Sequence, residues 1–207
     1  MNEYSFIFAL YMRTRDINKE KAIREQALKM IVKHGFEGLS MQKLANAAAV
    51  SPATIYIYFK DRDDLILQLA METSRKMSEA TLKDFDPDMS FSEGLKVQWL
   101  NRAKYCLANP DEMHFLEQIR HSPLHEKSME LMGPRFKEAM KTFAGNAIRR
   151  NELVKVPLEV YWSVAYAPLY NLIKFHLSGS SIGGQKFKFS EKTMMETLSL
   201  VIKGLKP

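Results

Sequence analysis

The chain has 207 residues, 46% of them hydrophobic and 26% charged, enough apolar material for one medium domain or a small domain joined to a larger one. Nine glycines, eight prolines and no long Ser, Gln or Gly tract exclude a low-complexity tail, and no period of repeat length recurs. The formal charge of +6 is shared between the two parts of the chain, so it does not by itself locate a nucleic-acid face.

In chain order, the opening "MNEYSFIFALYM" carries an apolar stretch at residues 6–12 with no preceding Lys or Arg and no small-residue cleavage site; it is also too short to span a bilayer. Residues 1–15 are expected to form an N-terminal extension or arm. A first helix is predicted over residues 16–34, where Ile23, Ala27, Leu28 and Ile31 recur at helical spacing and Gly35 supplies a stop. Ser40 is the N-cap candidate of a short second helix, "MQKLANAAA", with Leu44, Ala45 and Ala48 inward and Gln42, Lys43 and Asn46 outward. Ser51 caps a third, and Pro52 holds its first position, where the missing amide hydrogen costs nothing and the fixed φ favours entry. Ala53 and Thr54 keep the start of that helix slim. Tyr56, Ile57, Tyr58 and Phe59 then follow in an unbroken row beside Lys60 and Arg62. Two short helices about one turn apart, the second with small residues at its exposed start, let a recognition helix approach base edges in a major groove.

The stretch "GFEGLSMQKLANAAAVSPATIYIYFKDRDDLI" resembles the TetR family of bacterial transcriptional repressors through Gly35, Leu44, Ala45, Val50, Ser51, Thr54, Tyr56, Phe59, Arg62 and Leu65. The resemblance implies an all-α fold. A three-helix helix-turn-helix DNA-binding head at residues 16–62 would be joined by a long fourth helix at 63–85 to a ligand-binding and dimerisation body at 86–207. It also implies that Gln42 reads bases, that Ala53, Thr54 and Tyr56 lie on the DNA face, and that Tyr58 takes a slot often held by a phosphate-contacting residue. Arg62 would grip backbone phosphate where the fourth helix begins, since a guanidinium and helix-start amides both favour an anion. Ser40, Lys43, Ser51, Pro52 and Lys60 complete the expected DNA-binding set. Met41 and Ile57 depart from the polar or large aromatic residues that some members carry. Read from the residues alone, Phe59 is core, Tyr56 has a wet end in its hydroxyl, Gln42 suits an ordinary solvated position, and Arg62 could pair with Asp61 or Asp64.

Along the fourth helix Leu65, Leu69, Thr73 and Met77 form one inward stripe, and Pro87 in "DPDMS" marks the expected boundary. Further helices are predicted at about 91–108, 111–120, 123–150, 157–178 and 190–205, with a candidate kink at Gly133-Pro134. The last two carry broad apolar stripes: Val164, Ala165, Leu169, Leu172 and Ile173, then Met194, Thr197, Leu198, Val201, Ile202 and Leu205. These are the expected homodimer interface, which would offer two recognition helices to a palindromic operator. Trp99, His114, Phe115, Trp162, Tyr166 and Tyr170 are the candidate ligand-binding residues. Aromatic walls and repackable methionines suit a largely apolar or aromatic inducer, which the resemblance implies, and His114 is a candidate polar handle.

Competing chemistry is thin. The lone Cys106 cannot form an internal bridge, which favours a reducing compartment such as the cytoplasm. His121 and His125 have metal-type spacing but are separated by Pro123, "GSSIGG" lacks the lysine and strand context of a phosphate loop, and no nucleophile elbow, zinc signature or dinucleotide fingerprint occurs. The expectation is a cytoplasmic homodimeric repressor that binds double-stranded operator DNA and is released by a small molecule, with no cofactor, metal or membrane partner. The rival class is an all-helical small-molecule-binding or enzymatic bundle without specific DNA binding, and a third reading is an activator on the same scaffold.

Overall fold

Side chains that take up free amides set where the first helices begin. Asp16 accepts from the Asn18 N–H at 3.0 Å and opens α1 (Ile17–His34), which ends at Gly35, φ 69°, as its N–H bonds back to the Ile31 carbonyl. After a 3₁₀ turn at Phe36–Gly38, Ser40 accepts from the Lys43 N–H at 3.2 Å to start α2 (Met41–Ala47). Ser51 accepts from Thr54 at 3.1 Å to start α3 (Pro52–Tyr58). At the next start, Asp61 accepts from the Asp64 N–H while the Asp64 carboxylate accepts from the Lys60 N–H, both at 2.8 Å. That exchange satisfies two donors together, much as a capping box does, and opens α4 (Arg62–Thr81).

The computed structural model describes residues 16–130 and 134–207, and within them the chain is all-α: seven more helices follow and no strand occurs. They are α5 (Phe91–Ala108), α6 (Pro110–Arg120), α7 (His125–Glu130), α8 (Pro134–Arg149), α9 (Leu158–Ala165), α10 (Ala167–Ser178) and α11 (Glu191–Leu205). The expected arm at 1–15, Met132 and Gly133 lie outside the described residues. α4 stops at Thr81, short of residue 85, in a turn where Asp84 takes a φ of 55°. The segment expected as one helix over 157–178 breaks at Tyr166. Pro168 has no N–H to continue the ladder, so the chain turns and restarts.

Two compact units result, 16–72 with 114–130, and 73–113 with 134–207 among the described residues. In the first, Ile23, Ala27 and Ile31 of α1 meet Leu44 and Ala45 of α2, Ile55 and Phe59 around α3, and Leu65, Ile66 and Leu69 of α4. Phe115 and Ile119 of α6 close this core. In the second, Leu95 and Trp99 of α5, Phe143 and Ala147 of α8, Leu169 and Ile173 of α10, and Met194, Leu198 and Val201 of α11 form one cluster. The division therefore falls inside α4, after Glu72, and not at Pro87. Leu65 and Leu69 face one core, whereas Met77 packs on the other.

Much of the two stripes expected to face a partner subunit is intrachain core, while Val164, Leu172, Thr197 and Ile202 stay half-buried. Ala165, Leu169, Ile173, Met194, Leu198, Val201 and Leu205 are all buried within the chain itself, because α10 and α11 lie against α5 and each other. Gly94 marks a close approach in this unit. A Cβ there would sit 2.4 Å from the Phe143 ring, so only glycine lets α5 and α8 pack this closely.

Candidate nucleic-acid interface and ligand site

α3 is a seven-residue helix with two characters. Ile55 is fully buried and Phe59, just past its end, is 1% exposed, while Ser51, Ala53, Tyr56 and Ile57 are turned out. Tyr56 is 54% and Ile57 64% exposed, large rings and branches left in solvent beside a complete core. On α2, Leu44 and Ala45 are inside and Gln42 and Lys43 outside. Pro52, Thr54 and Ser40 are half-buried, and Ser51 and Thr54 hydroxyls lie 2.8 Å apart at the helix start. Lys60 is exposed just beyond the helix. The structure thus brings Gln42, Lys43, Ala53, Tyr56 and Lys60 to the surface of the first unit.

Two residues expected at phosphate are placed otherwise. Tyr58 is 6% exposed; its hydroxyl accepts from the Asp16 N–H at 3.0 Å and donates to the Asp16 carbonyl at 3.2 Å. The ring points into the core and its polar end ties α3 to the start of α1, so Tyr58 is a structural residue in this geometry. Arg62 is part-buried. Its Nε donates to the Leu39 carbonyl at 3.2 Å and its Nη2 to that of Phe36. Glu37 and Asp63 lie 3.8 Å away, and the pairing offered by Asp61 or Asp64 is replaced by these two. The guanidinium braces the turn between α1 and α2.

In the second unit, three of the six ligand candidates, Trp162, Tyr166 and Tyr170, gather around a residue that sequence reading passed over, and Trp99 lies in the same core. Arg102 is 2% exposed. Its Cζ lies 4.6 Å from the Tyr166 ring centre, 5.5 Å from Trp162 and 5.8 Å from Phe136, and its Nη1 donates to the Tyr170 hydroxyl at 2.7 Å. Tyr166 donates to Gln98 Oε1 at 2.8 Å and lies 3.3 Å from the Tyr161 hydroxyl. Trp99 is fully buried and its Nε1 donates to the Ala165 carbonyl at 2.8 Å, so its polar atom is spoken for. The other two candidates belong elsewhere: Phe115 and His114 fall in the first unit, where Phe115 packs edge-on against Phe36 at 6.5 Å. Burial pushes the phenols of Tyr161, Tyr166 and Tyr170 above the ordinary tyrosine range, with Arg102 pulling them back in part. All three are therefore neutral at neutral pH. For Arg102, burial opposes the charge, but the oxygens of Tyr170 and Tyr166 favour it, and the pKa is raised overall.

The signal for Arg102 was present in α5. Leu95, Gln98, Trp99, Arg102, Ala103 and Cys106 recur at three- and four-residue steps, which places Gln98 and Arg102 in the buried register. Among the described residues no group of three or more His, Cys, Asp and Glu could hold a metal, and no helix is long and apolar enough to cross a membrane.

An all-helical chain whose first unit sets a short exposed helix after a tight turn on a closed three-helix core is a helix-turn-helix protein. The profile of bacterial regulatory proteins of the tetR family matches residues 23–69, from α1 into α4. Over that segment the chain is similar to the TetR family, and the similarity of fold extends over most of its length. An uncharacterised HTH-type transcriptional regulator of Haemophilus influenzae is 34% identical over 95 residues, 46% of this chain and 51% of that protein. The HTH-type transcriptional repressor AcnR of Corynebacterium efficiens is 32% identical over 65 residues, 31% of this chain and 35% of that protein. The match thus spans about half or less of the length of these curated relatives. A TetR family transcription regulator from Marinobacter aquaeolei superimposes with a TM-score of 0.70 at 26% identity, covering 94% of this chain and 98% of that one.

Proposed function

We propose that this protein is a transcriptional repressor that binds operator DNA through α2 and α3 and is released by a small molecule held in the second unit. The observation that carries the DNA-binding part is the outward row of α3: Ala53, Tyr56 and Ile57 stand in solvent next to Gln42 and Lys43 of α2, over a core that needs none of them. Gln42 suits adenine recognition through its amide, Tyr56 offers a ring for a thymine methyl and a hydroxyl for phosphate, and Lys43 and Lys60 supply charge. Ser40, Ser51, Pro52 and Thr54 shape the approach through their caps. Arg62 acts indirectly here by fixing the turn that sets α2 against α1. The named function of AcnR supports the repressor sign, and binding rather than catalysis is the activity proposed.

A seven-residue helix reads only a few base pairs, so two copies are needed for a specific site. We place the homodimer contact on the outer faces of the last two helices, α10 and α11, where Leu200 stands 68% exposed on the side away from the core. The compartment proposed is the cytoplasm, consistent with a single, buried free cysteine.

The test is a titration of the DNA upstream of the protein's own gene, by gel shift across salt, with native mass spectrometry of the complex. A sequence-specific complex with two protein chains, weakened roughly 5- to 150-fold by Tyr56→Ala, is the expected result. Binding that follows salt but ignores sequence would sink the reading in favour of an all-helical small-molecule-binding bundle.

A further inference from the structure

Arg102 carries a buried charge in the second unit whose donors are only partly matched. A guanidinium has five N–H donors and no way to lose its proton near neutral pH. Here Nη1 is matched by Tyr170, whereas Nε and Nη2 have no hydrogen-bond partner among the described residues. Gln98 Nε2, one helical turn away on the same face of α5, is buried and equally unmatched. No carboxylate of the described residues pairs with Arg102, and the three surrounding phenols stay protonated. The rings of Tyr166 and Trp162 favour the charge through their faces but leave its in-plane donors bare. A buried cation with unmatched donors gains from an anion that reaches it.

We propose that the second unit takes a small monocarboxylate with an apolar or aromatic tail, its carboxylate seated on Arg102 and the Gln98 amide and its tail among Trp162, Tyr166 and Tyr170. The proposal rests on the reading of this unit as the ligand-binding one and supplies the ligand's chemical class. A carboxylate presents two coplanar oxygens to a planar fork and carries one negative charge, so it neutralises Arg102 without remainder. A phosphate monoester brings up to two charges against a single cation and would leave one buried and unpaired. An uncharged ligand of the same shape would fill the aromatic walls yet leave all three donors unmatched.

The experiment is calorimetric titration of the full-length protein with 3-phenylpropionate and octanoate, with the matched alcohols 3-phenylpropan-1-ol and octan-1-ol, and with octyl phosphate. At least one acid is expected to bind tenfold or more tightly than its alcohol and than octyl phosphate. Arg102→Met is expected to weaken that acid tenfold or more while melting no lower than the unliganded wild type, since it removes an uncompensated charge. Arg102→Lys recovers only part of the affinity because it lacks the fork. If Arg102→Met fails to fold, Gln98→Met, which keeps the cation, carries the same test with a smaller loss. Alcohols binding as well as acids, a preference for the phosphate, Arg102-independent binding, or no acid bound at millimolar concentration would each overturn the proposal. Operator gel shifts in the same samples separate it from the broader reading. An acid that binds through Arg102 and leaves the DNA complex intact keeps the site and removes ligand control; alcohols that release DNA as well as acids do the reverse.

Discussion

Removing the Arg62 side chain decides whether this guanidinium holds phosphate or holds the fold. The structure commits it to the carbonyls of Phe36 and Leu39, two charge-assisted bonds across the turn that precedes α2. Each such bond contributes about 1.5–3 kcal/mol when shielded, but the side chain is one-third exposed and water can replace part of the loss. The neighbouring Glu37 and Asp63 carboxylates are too wet to add to the sum. Arg62→Ala is therefore expected to loosen the first unit by about 1–3 kcal/mol, read as roughly 5- to 150-fold faster amide exchange at Gly38 and Leu39. Its effect on DNA binding then follows from a displaced α2. The affinity falls, while the slope of log K against log salt is unchanged, because no phosphate contact is lost. A direct phosphate contact gives the opposite pair of results: a slope smaller by about 0.9 with normal amide protection. Arg62→Lys sharpens the distinction, since a lysine can still meet a phosphate as a point charge but cannot span two carbonyls with a planar fork. A reduced slope with unaltered exchange would refute the bracing role.

Three further expectations follow from particular contacts. Tyr58→Phe keeps the buried ring and deletes the hydroxyl that meets both backbone groups of Asp16; chemical denaturation should show a loss of about 0.5–1.5 kcal/mol, with the salt slope of DNA binding unmoved, and a fall in that slope would restore Tyr58 to the phosphate side. Tyr56→Ala, by contrast, should leave stability within about 0.5 kcal/mol because the side chain is half exposed, and should cost about 1–3 kcal/mol of operator affinity; equal losses in stability and affinity would contradict the outward placement. In Gly94→Ala, helix propensity favours the variant by up to about 1 kcal/mol, but the new methyl would meet the Phe143 ring at 2.4 Å, and that ring is itself held between Phe85 and Phe91. Overpacking of this kind costs about 1–3 kcal/mol, so the net change should be destabilising, and a melting point above wild type would show that the ring yields.

Local signals carried the first unit well. Ser40, Ser51 and Pro52 start helices through contacts within three residues, and the inward spacing of Leu44, Ala45, Ile55 and Phe59 is a property of the helices themselves. What escaped sequence reading depends on partners far along the chain. Tyr58 turns inward because Asp16, 42 residues earlier, satisfies its hydroxyl. Phe115 leaves the ligand candidates because Phe36 waits for it in the other core. The apolar stripes of α10 and α11 were visible, but apolarity does not say whether the facing surface belongs to the same chain or to a second copy, and α5 takes most of both. Two features were nearer to hand: Pro168 announced the break inside residues 157–178, and the three-and-four spacing on α5 announced Gln98 and Arg102 as inward residues.

Comparison of three arginines shows why Arg102 stands apart. Arg24 is mostly covered, and it is answered within the fold: Glu20 accepts from it at 2.7 Å, Gln68 at 2.8 Å, Glu72 lies at 3.5 Å, and the Phe59 ring sits 5.0 Å from its Cζ. Arg62 is answered by main-chain carbonyls. In both cases desolvation is offset by acceptors that the chain provides, so the charge serves the architecture. Arg102 is more deeply buried than either, and the chain provides one neutral phenol and ring faces. If its purpose were stability alone, a methionine would fill the same space without the desolvation penalty and without the two unmatched donor atoms of the guanidinium. A site of that kind gains most from a partner that brings its own negative charge, and the gain is available only when that partner is bound. That difference between occupied and unoccupied states is what a ligand-controlled repressor requires, because a small molecule can shift a conformational equilibrium only by as much as it favours one state over the other.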